Sequence, residues 1–471
     1  MYAKDCLEVL KDRRAIPDES VDLIYLDPPF NSKSKYNLPF KGKYKKDSKP
    51  VMAFKDTWSW NENEIEHLTR LEQGDAEDML LADIVKLSRR IFNEKPNATT
   101  STGAYLLNMA VRLKEMRRVL KPTGSIYLHC DPTASHYLKA IMDSVFGEEN
   151  FCNEVVWHYY NGTSNIQRAW VRKHDINLFY ARDAEQNTFN EDEAREPYAE
   201  DSNFVANPEG YKDKYKPHPL GKRMHAVWRI PTINNMAKER LGYPTQKPLE
   251  LLRRIIKASS NEGDVILDPF CGCGTTVHAA EELRRRWIGV DVSQFSVGLI
   301  RNRILDNFRA IDRQDIHVVG CPMSVNDALE LARRDKFEFE KWACGEVGAQ
   351  GLFHAPGERG ADGGVDGIIP FYHSESLADG KAPEKTFAVV QVKGGKVHPD
   401  SVKALSTTVR ESGAKCGVLI CFEKYMRTVN NNREKRLVKH MEGDFNFIQG
   451  LSVEDLVNGR MPNLPLARYA A

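Results

Sequence analysis

No run in the 471-residue sequence approaches the roughly 20 apolar residues of a membrane helix, and Met1-Tyr2-Ala3-Lys4-Asp5 has no apolar leader core. A membrane-spanning or secreted chain is therefore not expected. Cysteine is present but unpatterned. Its nine residues form no CxxC pair and no regular framework, which excludes a disulfide scaffold and points to reduced thiols in the cytoplasm. An excess of one charge is missing too. Lys and Arg number 67 against 66 Asp and Glu, a formal net charge of +1. A nucleic-acid partner would have to be held by local basic patches, not by the field of the whole molecule. What is there is the make-up of a soluble globular protein, 41% hydrophobic and 28% charged, too long for one ordinary core. Two or three domains are expected.

The chain is organised around Val21-Asp22-Leu23-Ile24-Tyr25-Leu26-Asp27-Pro28-Pro29-Phe30. Its apolar first part is the pattern of a parallel strand buried on both faces. Two prolines cannot donate to a central ladder, so the strand stops at Asp27. Asp27, the carbonyls around it and the Phe30 ring are then presented at the carboxyl end of a strand, where open α/β sheets place ligands. A carboxylate beside a carbonyl accepts hydrogen bonds from an –NH2 group, and an aromatic face stacks on a planar ring. The set fits an exocyclic amine on a nucleobase. A plain strand-ending turn is the competing reading.

A second strand end lies far along the chain. Asp264-Val265-Ile266-Leu267-Asp268 runs into Pro269-Phe270-Cys271-Gly272-Cys273-Gly274-Thr275-Thr276 and a helix through about Arg286. Gly272 and Gly274 permit close backbone approach. Another strand, Trp287 to Val290, ends in Asp291, where an acid can accept both ribose hydroxyls of an adenosine. A dinucleotide loop needs a third glycine, and Val277 stands there instead. Two thiols in one turn, Cys271 and Cys273, are too few for a closed zinc site. Upstream, Thr245-Gln246-Lys247-Pro248 opens an amphipathic helix with Leu251, Leu252, Ile255 and Ile256 on its apolar side.

Asp27-Pro28-Pro29-Phe30 resembles the catalytic tetrapeptide of the amino-group DNA methyltransferases. The segment Asp268 to Thr276, with the Thr-Gln-Lys-Pro helix before it, resembles their S-adenosylmethionine loop. The catalytic segment precedes the cofactor loop, as in the circularly permuted β-class, and the likeness covers about residues 5–310. It implies a doubly wound, Rossmann-like α/β domain over 1–319 that binds S-adenosylmethionine through Gln246, Lys247, Asp268, Pro269, Phe270, Gly272, Gly274, Thr275 and Asp291. Asp27, Pro28, Pro29 and Phe30 would act on a base flipped from double-stranded DNA. Adenine N6 is the implied acceptor, and cytosine N4 the alternative. RNA or protein-amide methylation, which uses related tetrapeptides, is the rival within the enzyme class.

Residues 150–244, irregular and rich in Arg, Lys, Asn and aromatics, occupy the position of a target-recognition region. Arg168, Arg172, Lys173 and His174 are its candidates to meet DNA. The insertion from Asn31 to Pro50 has seven Lys against one Asp and departs from the family in size. It either grips phosphates or is a solvated loop. A helix from Tyr105 to Leu120, a turn at Lys121-Pro122-Thr123-Gly124 and a strand from Ser125 would bring Asp131 to the sheet edge of Asp27. His129 on that strand reads as structural.

Beyond 319 that pattern is exhausted. A linker is expected at 320–334, then a second α/β domain at 335–471. In it a helix from Asp335 to Cys344 precedes Gly357-Glu358-Arg359-Gly360-Ala361-Asp362-Gly363-Gly364-Val365-Asp366-Gly367. Strands follow at Ile368–Phe371 and Phe387–Lys393. Asp366 followed by Gln391-x-Lys393 resembles the Mrr-like branch of the PD-(D/E)xK restriction endonucleases. The likeness implies Mg²⁺ held by Asp366 and Gln391, with Glu340 as a further acid, and Lys393 stabilising charge at a scissile phosphate. A DNA-binding or dimerisation appendage is the alternative, and a homodimer is left open. From another class comes a DNA-binding defence effector whose tail alone is active.

Overall fold

The computed structural model describes residues 1–30, 35–37, 52–55, 58–94, 101–159, 167–206, 216–234, 237, 239–241, 243, 245–351, 364–374, 384–440 and 443–465. Most of the lysine-rich 31–50 insertion and of the 357–367 glycine loop lies outside them.

The strands of the first sheet are β1 (Tyr2–Ala3), β2 (Val21–Leu26), β3 (Leu120–Cys130), β4 (Phe151–His158), β5 (His174–Ala181), β6 (Val227–Arg229), β7 (Val265–Asp268) and β8 (Arg286–Asp291). They lie in the order β1-β8-β7-β2-β3-β5-β4-β6. The apolar runs of β2, β3, β7 and β8 stop at an acid, Asp27, Asp131, Asp268 and Asp291, and the other strands end without one. Neighbours run parallel except β5, which is antiparallel to β3 and β4. Leu23 faces Ile266 and Ile24 faces Leu267 across β2 and β7, while Asp268 faces Gly289 across β7 and β8. Three adjacent strands therefore finish in Asp291, Asp268 and Asp27 at one edge. This edge is where the site forms.

Helices cover both faces of the sheet, as a strand set with no polar face requires. On one face lie α1 (Cys6–Lys11), α2 (Glu62–Glu72), α3 (Ala76–Ile91), α4 (Thr102–Val119) and α5 (Ser135–Phe146), packed on Ile24, Leu26, Ile126 and Leu128. On the other, α6 (Leu249–Ser259) and α7 (Thr275–Glu282) meet Leu23, Tyr25, Tyr127 and Ile266. Leu251, Leu252, Ile255 and Ile256 of α6 are wholly buried. At about 1.5–3 kcal/mol for each such side chain, they fix the start of α6 against the sheet. Beside α7, α8 (Gln294–Asn307) packs through Val297, Ile300 and Ile304.

The turn expected at Lys121–Gly124 is instead a bulge within β3. Val21 pairs with Leu120 and Leu23 with Ser125, so the extra residues of β3 loop out of the ladder. Pro122 has no N–H to pair, and an unpaired bulge accommodates it without ending the strand.

The second unit begins with α9 (Val325–Arg334), within the stretch expected as linker, whose Ala328 and Leu331 are buried in the second core. It continues with α10 (Lys336–Glu346), β9 (Gln350–Gly351), β10 (Gly367–His373), β11 (Glu384–Lys393), α11 (Pro399–Ser412), β12 (Cys416–Cys421) and β13 (Ile448–Ser452). The strands lie in numerical order. The β9–β10 and β10–β11 pairs are antiparallel, and β11–β12 and β12–β13 are parallel. α9 and α10 pack on one side and α11 on the other.

Candidate active site

One cavity of about 610 Å³ is lined both by Asp27-Pro28-Pro29-Phe30 and by the loop from Asp268 to Thr276, with Asp291 beside them. Thus the two strand ends singled out in the sequence, some 240 residues apart, open into the same space. The loop is shaped by glycine. Gly272 and Gly274 have φ of +52° and +74°, and a Cβ on Gly274 would fall 2.7 Å from Ile300 Cγ1. A larger residue at 274 would meet both strain and a clash.

Asp268 is buried, Asp27 and Asp291 are half-buried, and Asp268 is close enough to feel both. Burial first, then the charges of Asp27 and Asp291, pushes Asp268 up to about 7. Its Oδ1 accepts the Phe270 N–H at 3.0 Å. Burial raises Asp291 to about 6, against the pull of two N–H donors. Gly272 N donates to its Oδ2 at 2.9 Å and Ser293 N to its Oδ1 at 2.8 Å. Asp268 and Asp291 at this edge offer acceptors to hydroxyl and ammonium donors, while Lys247 on the same wall balances Asp27.

The target end is built from aromatics and one cation. Phe30 stacks on His129 with centroids 5.9 Å apart and planes at 12°. His129, wholly buried, is held by Tyr25 Oη at 3.1 Å from Nδ1 and by Asp175 Oδ2 at 3.1 Å from Nε2. Tyr159 Oη donates to the other Asp175 oxygen at 3.3 Å. His129, expected as structural, thus backs the Phe30 ring.

Lys247 and Gln246, expected at the cofactor, line the cavity, and each side chain also has a partner within the chain. Lys247 Nζ donates to Asp27 Oδ2 and lies 5.5 Å from the Phe30 centroid. Gln246 accepts from Leu241 N at 2.8 Å and donates to the Glu239 carbonyl, bracing the segment before α6. Pro269, Phe270 and Thr275 lie on the cavity wall as expected residues of the loop. Asp131 follows β3 at the same sheet edge, and its carboxylate caps a turn by accepting Ala134 N at 3.0 Å. Tyr243, Trp58 and Arg112 also face the cavity and carried no sequence signal. In the interval expected to recognise the target, Arg172 reaches Thr133 Oγ1 at 3.3 Å, His174 opens β5, and Trp170 is 96% exposed.

In the second unit, Gln391 and Lys393 sit two apart on β11, on one face of the strand. Asp366 precedes β10, and its Oδ2 accepts Val392 N at 2.6 Å. Burial and then the Glu340 charge push Asp366 up to about 7, against the pull of Val392 N–H and Lys393. Burial likewise raises Glu340. Gln391 Nε2 donates to Gly364 O at 2.8 Å, while its buried Oε1 has no hydrogen-bond partner among the described residues. Among the described residues no three carboxylate, imidazole or thiol groups converge on a metal-sized site.

A family model described as DNA methylase, of the N6/N4 methyltransferase type, matches residues 21–302. The chain is similar to the type II methyltransferase M.HpaI of Haemophilus parainfluenzae, at 32% identity over 221 residues. That likeness covers 46% of this chain and 65% of M.HpaI, just under two thirds of its length. It is also similar to the DNA adenine methyltransferase YhdJ of Escherichia coli (strain K12), 25% identical over 305 residues, 64% of this chain and 83% of that protein. Among solved structures, the complex of M1.HpyAVI with SAM gives a TM-score of 0.38 at 18% identity, over 64% of this chain and 97% of that one.

Proposed function

The chain belongs to the N6/N4 DNA methylase family, and on that premise we propose that it methylates an exocyclic amino group in DNA, adenine N6, from S-adenosylmethionine. The observation that carries the reading is the single cavity shared by Asp27–Phe30 and the Asp268–Thr276 loop. The residues fit that cofactor. Asp291 offers acceptors to ribose hydroxyls, the glycine turn lets the backbone approach, and the acidic edge suits a sulfonium charge. The bound cofactor would supply an electrophilic methyl group.

The chain's own residues then orient the nucleophile. Phe30, backed by His129, offers its open face to a flipped base, whose extrusion costs a few kcal/mol. Asp27 and the Pro28 carbonyl accept the two amino hydrogens and turn the nitrogen lone pair towards the methyl group. Lys247 balances the charge of Asp27 through Oδ2 and leaves Oδ1 for the amine. An amine conjugated with its ring is a poor nucleophile, so these contacts and in-line placement supply much of the acceleration. Exposed Trp170, near Arg168 and Lys173, supports a DNA face on the recognition interval. The adenine choice rests on the Asp form of the tetrapeptide, with cytosine N4 the alternative.

The test is transfer of labelled methyl groups to duplex DNA, followed by nucleoside analysis. N6-methyladenine is expected. Only N4-methylcytosine would overturn the base assignment, and no transfer to any duplex would overturn the reading. Asp27→Ala should abolish transfer while S-adenosylhomocysteine still binds.

The second unit supports a Mg²⁺-dependent DNA-cleaving site. Gln391 Oε1 is buried and has no partner among the described residues, which makes it a candidate ligand atom, and Mg²⁺ needs only one or two carboxylates alongside water and phosphate. Asp366, Gln391 and Glu340 would hold the ion, which supplies charge stabilisation at a phosphate, and Lys393 would add a second positive charge. Incubating unmethylated DNA with Mg²⁺ should give cutting that Lys393→Ala loses. Equal cutting by both proteins, or none by wild type in any methylation state, overturns this second activity.

A further inference from the structure

One helix belongs to both halves of the molecule. Phe339, Trp342 and Ala343 of α10 are buried in the second core. Glu338 and Lys341 of the same helix line the cavity that holds Asp27, Asp268 and Asp291. Lys341 Nζ donates to Glu338 Oε1 at 2.6 Å, and the side chains are 33% and 32% exposed.

The position of α10 is tightly set. It crosses α8 glycine to glycine: a Cβ on Gly298 would fall 2.6 Å from the Gly345 carbonyl carbon, and one on Gly345 3.0 Å from Phe295 Cα. Asn302 Nδ2 donates to the carbonyls of Gly345 and Glu346 at 3.1 and 3.2 Å. Since α8 begins just after Asp291-Val292-Ser293, the wall built by α10 stands at the end of the cavity suited to ribose and adenine.

We infer that the second unit completes the cofactor site, with Glu338 and Lys341 binding the adenosyl end of S-adenosylmethionine. This rests on the methyltransferase reading above. A carboxylate beside an ammonium presents an acceptor and a donor, the complement of the amino group and ring nitrogen on an adenine edge. The pair is already formed, so little side-chain ordering is left to oppose binding. The same helix reaches further. Glu340, two residues on from Glu338, acts on Asp366, and Cys344 Sγ donates to the Asp366 carbonyl at 3.6 Å. The helix that walls the cavity therefore also touches the second cluster.

The experiment is calorimetric titration of the full chain with S-adenosylhomocysteine, beside hydrogen exchange of residues 336–346 with and without that ligand. Wild type should bind, and its α10 amides should gain protection. A Glu338→Ala/Lys341→Ala chain should bind about tenfold more weakly or worse, the expected loss for a charge-assisted hydrogen bond. Equal affinity in both chains, or unchanged exchange over 336–346, overturns this inference and leaves the methyltransferase reading standing. Failure of S-adenosylhomocysteine to bind wild type overturns both.

Discussion

The role proposed for Asp291, accepting from ribose hydroxyls, calls for its charge, and burial has lifted this carboxylate to about 6. The sign follows directly. Above that pH it is ionised and both oxygens accept, and below it a proton competes with the ligand. S-Adenosylhomocysteine, which lacks the sulfonium charge, should bind with constant affinity above about pH 7 and weaken by up to about tenfold per unit below 6. Asp268, titrating near 7 in the same cavity, contributes less because an uncharged thioether does not need its charge. Titration across pH 5–8 checks this, and Asp291→Asn should flatten the profile at low affinity. A second expectation concerns Lys247. Because its ammonium rests on Asp27, Lys247→Ala should lower the rate of transfer by an order of magnitude or more while changing S-adenosylhomocysteine affinity little. Comparable losses in both would return Lys247 to the cofactor. Asp27, Asp268 and Asp291 were legible because each ends an apolar run, a local pattern. The Lys247–Asp27 contact was not, since it joins residues 220 apart and only folding of the sheet brings them together.

Elements were legible where periodicity and stop signals agreed. α4 and β7 fall within a few residues of their expected places, and α10 opens on the expected Asp335, whose side chain accepts Phe337 N and Glu338 N. The differences arise where one local signal serves two structures. A Pro-x-Gly that reads as a turn also fits a bulge, and polar residues 320–334 that read as a linker hide the Ala328 and Leu331 stripe of α9. Nor does any pattern show that Gly298 and Gly345 face each other. The geometry predicts the effect of filling that gap. Gly298→Ala improves helix propensity by about 1 kcal/mol within α8, yet its methyl group meets backbone and not a movable side chain. Overpacking of this kind destabilises by about 1–3 kcal/mol, so the net change should be a loss or near zero, never the full gain. A surface glycine in open space such as Gly395, where a Cβ meets nothing within 4 Å, provides the comparison. Denaturant midpoints of the two alanine variants measure it.

At the scale of the whole molecule, the halves are joined by charge as well as by packing. Glu346, at the end of α10, receives Arg301 from α8 and Arg313 from the segment after it, and Arg313 also donates to the Leu456 carbonyl at 3.2 Å. The Glu346 and Arg301 side chains are each 1% exposed. The sequence could not show this, because Glu338, Lys341 and Glu346 look like ordinary solvated charges on a surface helix. The partners of Glu346 lie in a unit that an expected linker set apart. A buried pair adds little net stability over an apolar contact, but removing one member strands the other, at about 3–5 kcal/mol. Glu346→Gln keeps the shape and removes the charge, leaving Arg301 buried without its counter-ion. Calorimetric unfolding should then show the transition of the second unit moving to lower temperature and separating from that of the first. The same variant should lose S-adenosylhomocysteine affinity if α10 is displaced from the cavity, because Glu338 and Lys341 move with it. An unchanged endotherm would mean that the glycine crossing alone holds the halves together, and the effect of Gly298→Ala would then have to carry the whole coupling.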